Sequence, residues 1–75
     1  MLLADGMRLD DFVTQLARYQ RGVIRCDPRI AGLRISGAFP VSDTQRSLSM
    51  LESTYSLRVS AHMNGYWTLL YPAEP

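Results

Sequence analysis

A chain of 75 residues with 47% hydrophobic residues can form one small folded domain and is too apolar for a disordered segment. Its net charge of +1 at pH 7 excludes a strong global attraction to nucleic acid or membrane surfaces, and all eight of its basic residues are arginine. The single cysteine, Cys26, excludes an internal disulfide, and no apolar run reaches the ~18 residues of a membrane helix.

The chain begins with a predicted strand and a predicted amphipathic helix. Residues 1–4 are mostly apolar and precede the turn dipeptide Asp5-Gly6, which closes this first strand. Apolar residues then recur at the i, i+3, i+4 and i+7 spacing that places them on one side of a helix. The members of this side are Leu9, Phe12, Val13, Leu16 and Ala17. Gly22 is placed to end the helix in a left-handed conformation.

The second and third predicted strands lie on either side of a proline. Residues 23–27 form the second strand, and Pro28 ends it because proline has no N–H to donate to a ladder. Residues 33–39 form the third strand, in which every second residue points to the buried side. These buried residues are Leu33, Ile35, Gly37 and Phe39.

A second helix is predicted over residues 43–53, after the strand stops at a proline. Ser42 and Gln45 have the spacing of a capping box, in which two amides at the start of a helix are satisfied reciprocally. The apolar side of this helix is narrow, with Leu48 and Leu51 as its main members. Packing against the rest of the domain must therefore stabilise the helix.

The last predicted unit is a β-hairpin. Residues 57–63 alternate and face Asn64-Gly65, a dipeptide that favours a type I′ turn because both residues accept positive φ. Residues 66–71 return as the final strand, and residues 71–75 are predicted as a loose C-terminal tail. The buried side of the first hairpin strand comprises Leu57, Val59, Ala61 and Met63.

The order βαβ followed by βαββ predicts a single α+β domain over residues 1–75. Two short helices cannot bury a core alone, but two helices packed on small sheets can. The two halves therefore share one apolar interior. Its predicted members include Leu9, Phe12, Val13, Leu16, Ile35 and Val59.

No group of residues has the pattern of a catalytic or metal-binding site. His62 points outward from its strand and has no partner that the sequence singles out, and Cys26 is interpreted as a small buried hydrophobe. One cysteine and one histidine cannot supply the three or four ligands of a metal site. Asp10 and Asp11 are interpreted as favourable charges at a helix start. We predict a protein that is not an enzyme and has no cofactor.

Two kinds of binding remain as alternatives. Arg25, Arg34 and Arg58 lie on predicted strands, and Tyr66 and Trp67 supply rings, which are the features of a sheet that holds single-stranded nucleic acid. Acidic residues nearly cancel the arginines, no nucleic-acid-binding motif is present, and Trp67 is interpreted as a core residue. Protein–protein contact is the favoured interpretation, because small sheets have edges that can pair and arginine is enriched in interfaces.

Four segments resemble a known family when they are taken together. They read RYQRG at 18–22, DP at 27–28, LRISGAFP at 33–40 and YW at 66–67. Their succession covers nearly the whole chain and resembles the C-terminal periplasmic region of FecR-type anti-sigma regulators. The wider pattern resembles the short N-terminal (STN) domain of secretins and TonB-dependent receptors, which implies two helices between two small β-sheets.

The resemblance implies a periplasmic signal-transfer module at the C-terminal end of a single-pass inner-membrane protein of a Gram-negative bacterium. Such a module binds the N-terminal signalling domain of a TonB-dependent siderophore transducer and so controls an extracytoplasmic-function sigma factor in iron uptake. It implies no membrane contact by this part of the protein and no nucleic-acid partner. The same fold leaves open that the chain is the signalling domain of a TonB-dependent receptor or of a secretin.

Five residues are the candidates for contact with that partner. Arg34, Arg58 and His62 are expected on outward sides of strands, and Tyr19 and Arg21 at the end of the first helix. Arginine and tyrosine are among the residue types that contribute most to interface affinity.

Overall fold

Five strands and two helices make up the described part of the domain. The computed structural model of the chain describes residues 1–73. The strands are β1 (Leu2–Arg8), β2 (Val23–Cys26), β3 (Arg34–Phe39), β4 (Leu57–His62) and β5 (Trp67–Pro72). The helices are α1 (Leu9–Leu16) and α2 (Thr44–Thr54), with 3-10 turns at Ala17–Tyr19 and Pro28–Ile30. The predicted α+β class and the predicted order of the elements are confirmed.

The strands form two separate sheets. β1 and β3 pair antiparallel in a two-stranded sheet. β5 is the centre of a three-stranded sheet, parallel to β2 on one side and antiparallel to β4 on the other. Each half of the chain therefore contributes to both sheets, so that neither half can complete a sheet by itself.

One apolar core joins the helices to both sheets. Its buried members are Ala4, Leu9, Phe12, Val13, Leu16, Ile24, Ile35, Phe39, Leu48, Leu51, Leu57 and Leu70. The rings of Phe12 and Phe39 meet edge to face, with centroids 4.8 Å apart, and so connect α1 to the two-stranded sheet. Five of the six predicted core residues are buried, and the sixth, Val59, is half-buried and packs against the same cluster.

The first strand does not end at the predicted turn. β1 continues past Asp5-Gly6 and pairs Met7 with Ile35, and the pairing is interrupted by a bulge. Gly6 lies at the bulge and adopts a φ of +64°, which glycine tolerates without strain. Its N–H donates to the Ser36 hydroxyl at 2.9 Å. A dipeptide that favours a turn is thus absorbed within a longer strand, because a side chain satisfies the amide that leaves the ladder.

Gly22 has the predicted left-handed conformation but a different role. α1 ends at Leu16 and continues as a 3-10 turn, so Gly22 does not end the helix. With a φ of +91°, Gly22 lies against the backbone of Tyr66, where a Cβ atom would collide with the carbonyl group. The next amide, that of Val23, donates to the Tyr66 carbonyl at 2.7 Å. Glycine at this position therefore permits the close approach that starts the parallel pairing of β2 with β5.

The cap of α2 lies one residue later than the spacing predicts. Asp43, rather than Ser42, accepts a hydrogen bond from the amide of Arg46, at 3.1 Å. The prediction of a Ser42 cap is therefore wrong, because a carboxylate one position on reaches the same turn. The buried Ser47 hydroxyl donates to the Pro40 carbonyl at 2.7 Å and connects the helix to the end of β3.

The predicted hairpin is present, with a longer connection. Residues 63–66 lie between β4 and β5, and φ is positive at Met63, Asn64 and Gly65. The Gly65 amide donates to the His62 carbonyl at 3.1 Å, and the Tyr66 amide donates to the Met63 carbonyl at 3.1 Å. Two overlapping turns therefore form the connection, one centred on Met63-Asn64 and one on the predicted Asn64-Gly65. Met63 and Ala61, both predicted to be buried, are exposed: Met63 lies in the connection after β4, and Ala61 lies one residue before the end of that strand.

The C-terminal end is more ordered than predicted. Tyr71 and Pro72 belong to β5 and pair with Arg58 and Leu57, so a loose tail does not begin at residue 71. The remainder of the predicted tail, residues 74–75, lies outside the described residues. Within residues 1–73 no helix combines the length and the apolar character needed to cross a membrane.

Candidate protein interface

The three-stranded sheet has one side on the core and one side in solvent. Thr68 and Leu70 of the central strand are fully buried on the core side, together with Ile24 of β2. Residues paired across neighbouring strands point to the same side of a sheet, so the pairing defines the opposite side as well. This side, the outer face, comprises Val23, Arg25, Arg58, Ser60, His62, Trp67, Leu69 and Tyr71.

The outer face has an aromatic centre and a cationic margin. Trp67 is 40% exposed, and the half-buried Leu69 and Tyr71 follow it along the central strand. The exposed side chains of Arg25 on β2 and Arg58 on β4 lie on either side of this row. The eight residues include no aspartate or glutamate. The arrangement can bind an apolar surface that carries acidic groups at its margin.

Neither arginine of the outer face forms an ion pair within the described part of the chain. The two ion pairs there are Arg8 with Asp10, at 3.1 Å, and Arg29 with Asp27, at 2.9 Å. Arg25 and Arg58 are therefore available to an external carboxylate.

His62 completes the outer face beside Trp67. Its Nε2 atom lies 2.8 Å from the Ser60 hydroxyl, which is on the same side of β4. This contact fixes the orientation of the ring on the surface. In the described part of the chain, His62 is the only basic side chain hydrogen bonded to the Ser60 hydroxyl. The two groups lie on an open sheet and not in a cleft that could hold a substrate.

The structure brings together some of the predicted contact residues. Arg58 and His62 both lie on the outer face. Tyr19, 55% exposed in the 3-10 turn, and Arg21 lead into β2 at the end of the sheet where Val23 pairs with Trp67. These positions are compatible with one continuous contact surface.

Arg34 is separated from this group. It is exposed on β3, in the other sheet, as the alternation predicts. Its Nη1 atom donates to the Gly6 carbonyl at 3.0 Å and so fastens the bulge of β1. Arg34 therefore has a structural contact that Arg58 lacks, and the structure does not place the two side by side.

Sequence reasoning missed the centre of the outer face. Trp67 was predicted to be a core residue, but the smaller Thr68 beside it is the one that is buried. The signal was available in the hairpin, because Trp67 pairs with His62, whose outward direction is predicted from β4. Arg25 and Tyr71 belong to the same surface by the same pairing rule.

The thiol of Cys26 is poorly suited to nucleophilic chemistry. Burial, followed by the nearby Asp10 and Asp27 carboxylates, raises the pKa of the Cys26 thiol above its ordinary value. No cluster of three or more potential metal ligands occurs in residues 1–73, and that part of the chain has no enclosed pocket. The sequence matches no protein-family model and no curated protein. The outer face is thus the best-defined candidate site.

Proposed function

We propose that the chain is a protein–protein signal-transfer module of an anti-sigma regulator of the FecR type. In this proposal it is the periplasmic C-terminal part of a single-pass inner-membrane protein of a Gram-negative bacterium. It binds the N-terminal signalling domain of a TonB-dependent siderophore transducer and controls an extracytoplasmic-function sigma factor. The observation that carries the proposal is the outer face, where aromatic residues lie between two arginines without internal ion pairs.

The composition of the outer face supports a protein partner. Tryptophan, tyrosine and arginine are the residues in which interface binding energy concentrates, and they lie together here in Trp67, Tyr71, Arg25 and Arg58. The side chains stand on neighbouring strands of a hydrogen-bonded sheet, so little backbone ordering is needed on binding. A partner patch with apolar residues between acidic ones would complement this arrangement.

The positions of the resemblance segments also support the proposal. Gly22, at the end of the RYQRG segment, packs directly on Tyr66, at the start of the YW segment. In the DP segment, the Asp27 side chain accepts from the Arg29 amide at 2.8 Å and caps the 3-10 turn after β2. The RYQRG and YW segments, far apart in sequence, are thus in contact at one end of the three-stranded sheet, and the DP segment follows β2 at its other end.

A titration tests the proposal directly. The isotope-labelled chain is titrated with the N-terminal signalling domain of a TonB-dependent transducer, and binding is followed by calorimetry and by amide shifts. We expect saturable shifts centred on Val23, Arg58, His62 and Trp67. The signalling domain of an unrelated secretin serves as the control for fold-dependent but unspecific contact. Absence of heat and of shifts at high micromolar concentration would exclude the proposed partner.

The same fold supports a second role, as the signalling domain of a receptor or secretin itself. The full reading frame distinguishes the two: a membrane helix and a sigma-binding segment for the regulator, or a signal peptide followed by a plug and barrel for the receptor.

A nucleic-acid partner has one observation in its favour. Arg25, Arg58 and the ring of Trp67 share an open sheet face, as in proteins that stack single-stranded bases. Trp67 is the only tryptophan, so its fluorescence reports on the outer face alone. Quenching by a mixed-sequence oligonucleotide that weakens with added salt would favour this role; unchanged emission would eliminate it.

A further inference from the structure

Three of the four sheet edges are blunted. At β3, the Tyr55 hydroxyl accepts from the Ser36 amide at 3.0 Å and lies 3.4 Å from the Ser36 carbonyl. At β4, the Glu52 carboxylate accepts from the Val59 amide at 2.9 Å. The edge of β1 is bent by the bulge at Gly6. Occupied amides and bulges are devices that prevent a further strand from pairing with an edge.

β2 differs from these three edges. Its pairing with β5 is continuous over Val23–Cys26 without a bulge. The Val23 amide donates to the Tyr66 carbonyl at 2.7 Å, and the Asp27 amide donates to the Leu70 carbonyl at 2.8 Å. Because backbone groups of a parallel strand alternate in direction, the groups of residues 23, 25 and 27 point to β5.

The backbone groups of Ile24 and Cys26 therefore point away from the sheet. Within the described residues, neither amide donates to a backbone carbonyl beyond the β2–β5 ladder. No side chain of residues 1–73 caps these amides, in contrast to the capped amides of β3 and β4. Two donors and two acceptors thus stand in a row along an unobstructed edge. Such a row is the template for strand addition.

We propose that β2 accepts an extended segment of the partner protein as a fourth strand of the three-stranded sheet. This inference rests on the proposed function, because the partner supplies the segment. The length of β2 limits the added strand to about four or five residues. The new strand would extend the outer face beyond Val23 and Arg25, so backbone pairing and side-chain contact would occur on one continuous surface.

Arg25 defines the chemistry of that segment. Its side chain is exposed on the outer face and has Leu69 opposite it on β5. An acidic residue on the added strand, directly opposite Arg25, would lie at cross-strand distance and form the ion pair that Arg25 lacks here. The segment is therefore extended, and it carries an acidic residue between residues that face the core side.

A second copy of this chain fits the edge less well. If two β2 strands paired so that Ile24 and Cys26 of both copies were used, Arg25 of one copy would lie opposite Arg25 of the other. Like charges directly opposite each other destabilise a strand pair. The charge on Arg25 thus discriminates between an acidic partner segment and self-association.

Amide hydrogen exchange of the labelled chain, with and without the transducer signalling domain, tests the proposal. We expect exchange at Ile24 and Cys26 to slow by about tenfold or more on binding, since each amide gains a hydrogen bond. The amide of Ala61, which points away from β5 on the opposite edge, should keep its rate. Binding without slower exchange at Ile24 and Cys26 would overturn the strand addition while leaving the proposed function intact.

Three variants add an independent measurement. Cys26→Pro removes an outward amide without removing a bond to β5, and should weaken partner binding by about tenfold. Cys26→Ala keeps the amide and removes the thiol, and Ala61→Pro blunts the opposite edge; both should bind within about twofold of the original chain. Dispersed amide spectra verify that each variant is folded. Equal affinity of all three would contradict the proposal.

A model peptide separates failure of the edge from failure of the proposed partner. If the transducer domain does not bind, the proposed function is wrong, and an acetylated, amidated five-residue peptide of alternating valine and glutamate is used instead. Slower exchange at Ile24 and Cys26 with this peptide supports a strand-accepting edge; unchanged exchange at high millimolar peptide overturns it. Slower exchange that depends on the concentration of the chain alone would identify a second copy as the occupant and overturn the partner segment.

Discussion

The two sheets of this domain use their polar side chains differently. In the two-stranded sheet, the Arg34 guanidinium and the Ser36 hydroxyl both bind the backbone of Gly6 and hold the bulge of β1. In the three-stranded sheet, Arg25 and Arg58 have no ion pair within residues 1–73. One sheet therefore satisfies its polar groups internally, and the other presents them to solvent beside aromatic rings.

This difference separates residues that stabilise the fold from residues that are available for binding. A polar group that is hydrogen bonded inside the domain contributes to stability and loses that contribution when it is moved to a partner. A group without an internal contact can bind a partner without such a loss. The comparison predicts that matched substitutions in the two sheets have opposite effects on stability and on affinity.

The largest effect tests whether the sheets share one cooperative core. Phe39→Ala in the two-stranded sheet should reduce the free energy of unfolding by about 3–5 kcal/mol, and Leu70→Ala in the three-stranded sheet by about 2–5 kcal/mol. Both side chains are buried in the same cluster, so each substitution should destabilise both sheets together. Urea unfolding followed by far-UV circular dichroism and by Trp67 fluorescence measures this. Separate transitions in the two signals after Phe39→Ala would show that the three-stranded sheet is stable alone.

Affinity for the partner should depend on the exposed apolar side chain of the three-stranded sheet and not on that of the two-stranded sheet. Trp67→Ala should weaken binding to the transducer signalling domain by about 2 kcal/mol, or roughly 30-fold in Kd. Leu3→Ala removes an apolar side chain that is 72% exposed on the two-stranded sheet and should change Kd less than about twofold. Calorimetric titration of both variants gives the values. A greater loss with Leu3→Ala would move the interface to the other sheet.

Substituting an arginine should affect partner binding in one sheet and stability in the other. Arg58→Ala should weaken partner binding by about threefold to tenfold, mainly through slower association, and should reduce its sensitivity to salt. Arg34→Ala should instead lower the free energy of unfolding by about 0.5–1.5 kcal/mol through the lost bond to Gly6. Stopped-flow association between about 20 and 300 mM salt measures the first effect. Equal losses of affinity would indicate an interface that spans both sheets.

A smaller effect concerns the blunted edge of β3. Tyr55→Phe removes the hydroxyl that contacts both backbone groups of Ser36, and should cost about 0.5–1.5 kcal/mol of unfolding free energy. Exchange of the Ser36 amide should become faster in the variant, whereas exchange at Val59, which Glu52 caps, should not change. Faster exchange at both positions would instead indicate that the end of α2 has loosened as a whole.

The smallest effect comes from the two exposed ion pairs. Arg29 lowers the pKa of Asp27 through a hydrogen bond, and Arg8 lowers the pKa of Asp10 in the same way. A folded pKa below the unfolded value stabilises the fold above the unfolded pKa, and this stabilisation is lost as the pH falls through the folded pKa. Carboxyl titration by NMR should show both groups below the ordinary aspartate value. An ordinary value at Asp27 would mean that the pair with Arg29 does not persist in solution.

The sequence predicts the elements of this fold better than their boundaries. The helical spacing of apolar residues predicts α1 correctly, and four residues of that apolar side are buried. The alternation of apolar and polar residues likewise predicts β3 and β4. Local turn signals are less reliable: Asp5-Gly6 lies within a strand, and Gly22 serves a contact with Tyr66 rather than the end of a helix. Such contacts join residues far apart in the chain, which a local signal cannot report.

The candidate site shows the same limit. The outward directions of Arg58 and His62 follow from alternation in one strand and are predicted correctly. The central position of Trp67 depends on which strand pairs with which, and on the burial of Thr68 instead. The open edge of β2 could not be predicted, because it is defined by caps from Tyr55 and Glu52 that are present at other edges.

Those two caps come from the same place, the end of α2 and the residue that follows it. A single frayed helical turn would therefore uncover the middle of β3 and of β4 at once. The domain would then offer pairing edges on both of its sheets, a route to cross-linked aggregates rather than to simple dimers. We therefore expect the solubility of the chain at high concentration to fall when the last turn of α2 unwinds.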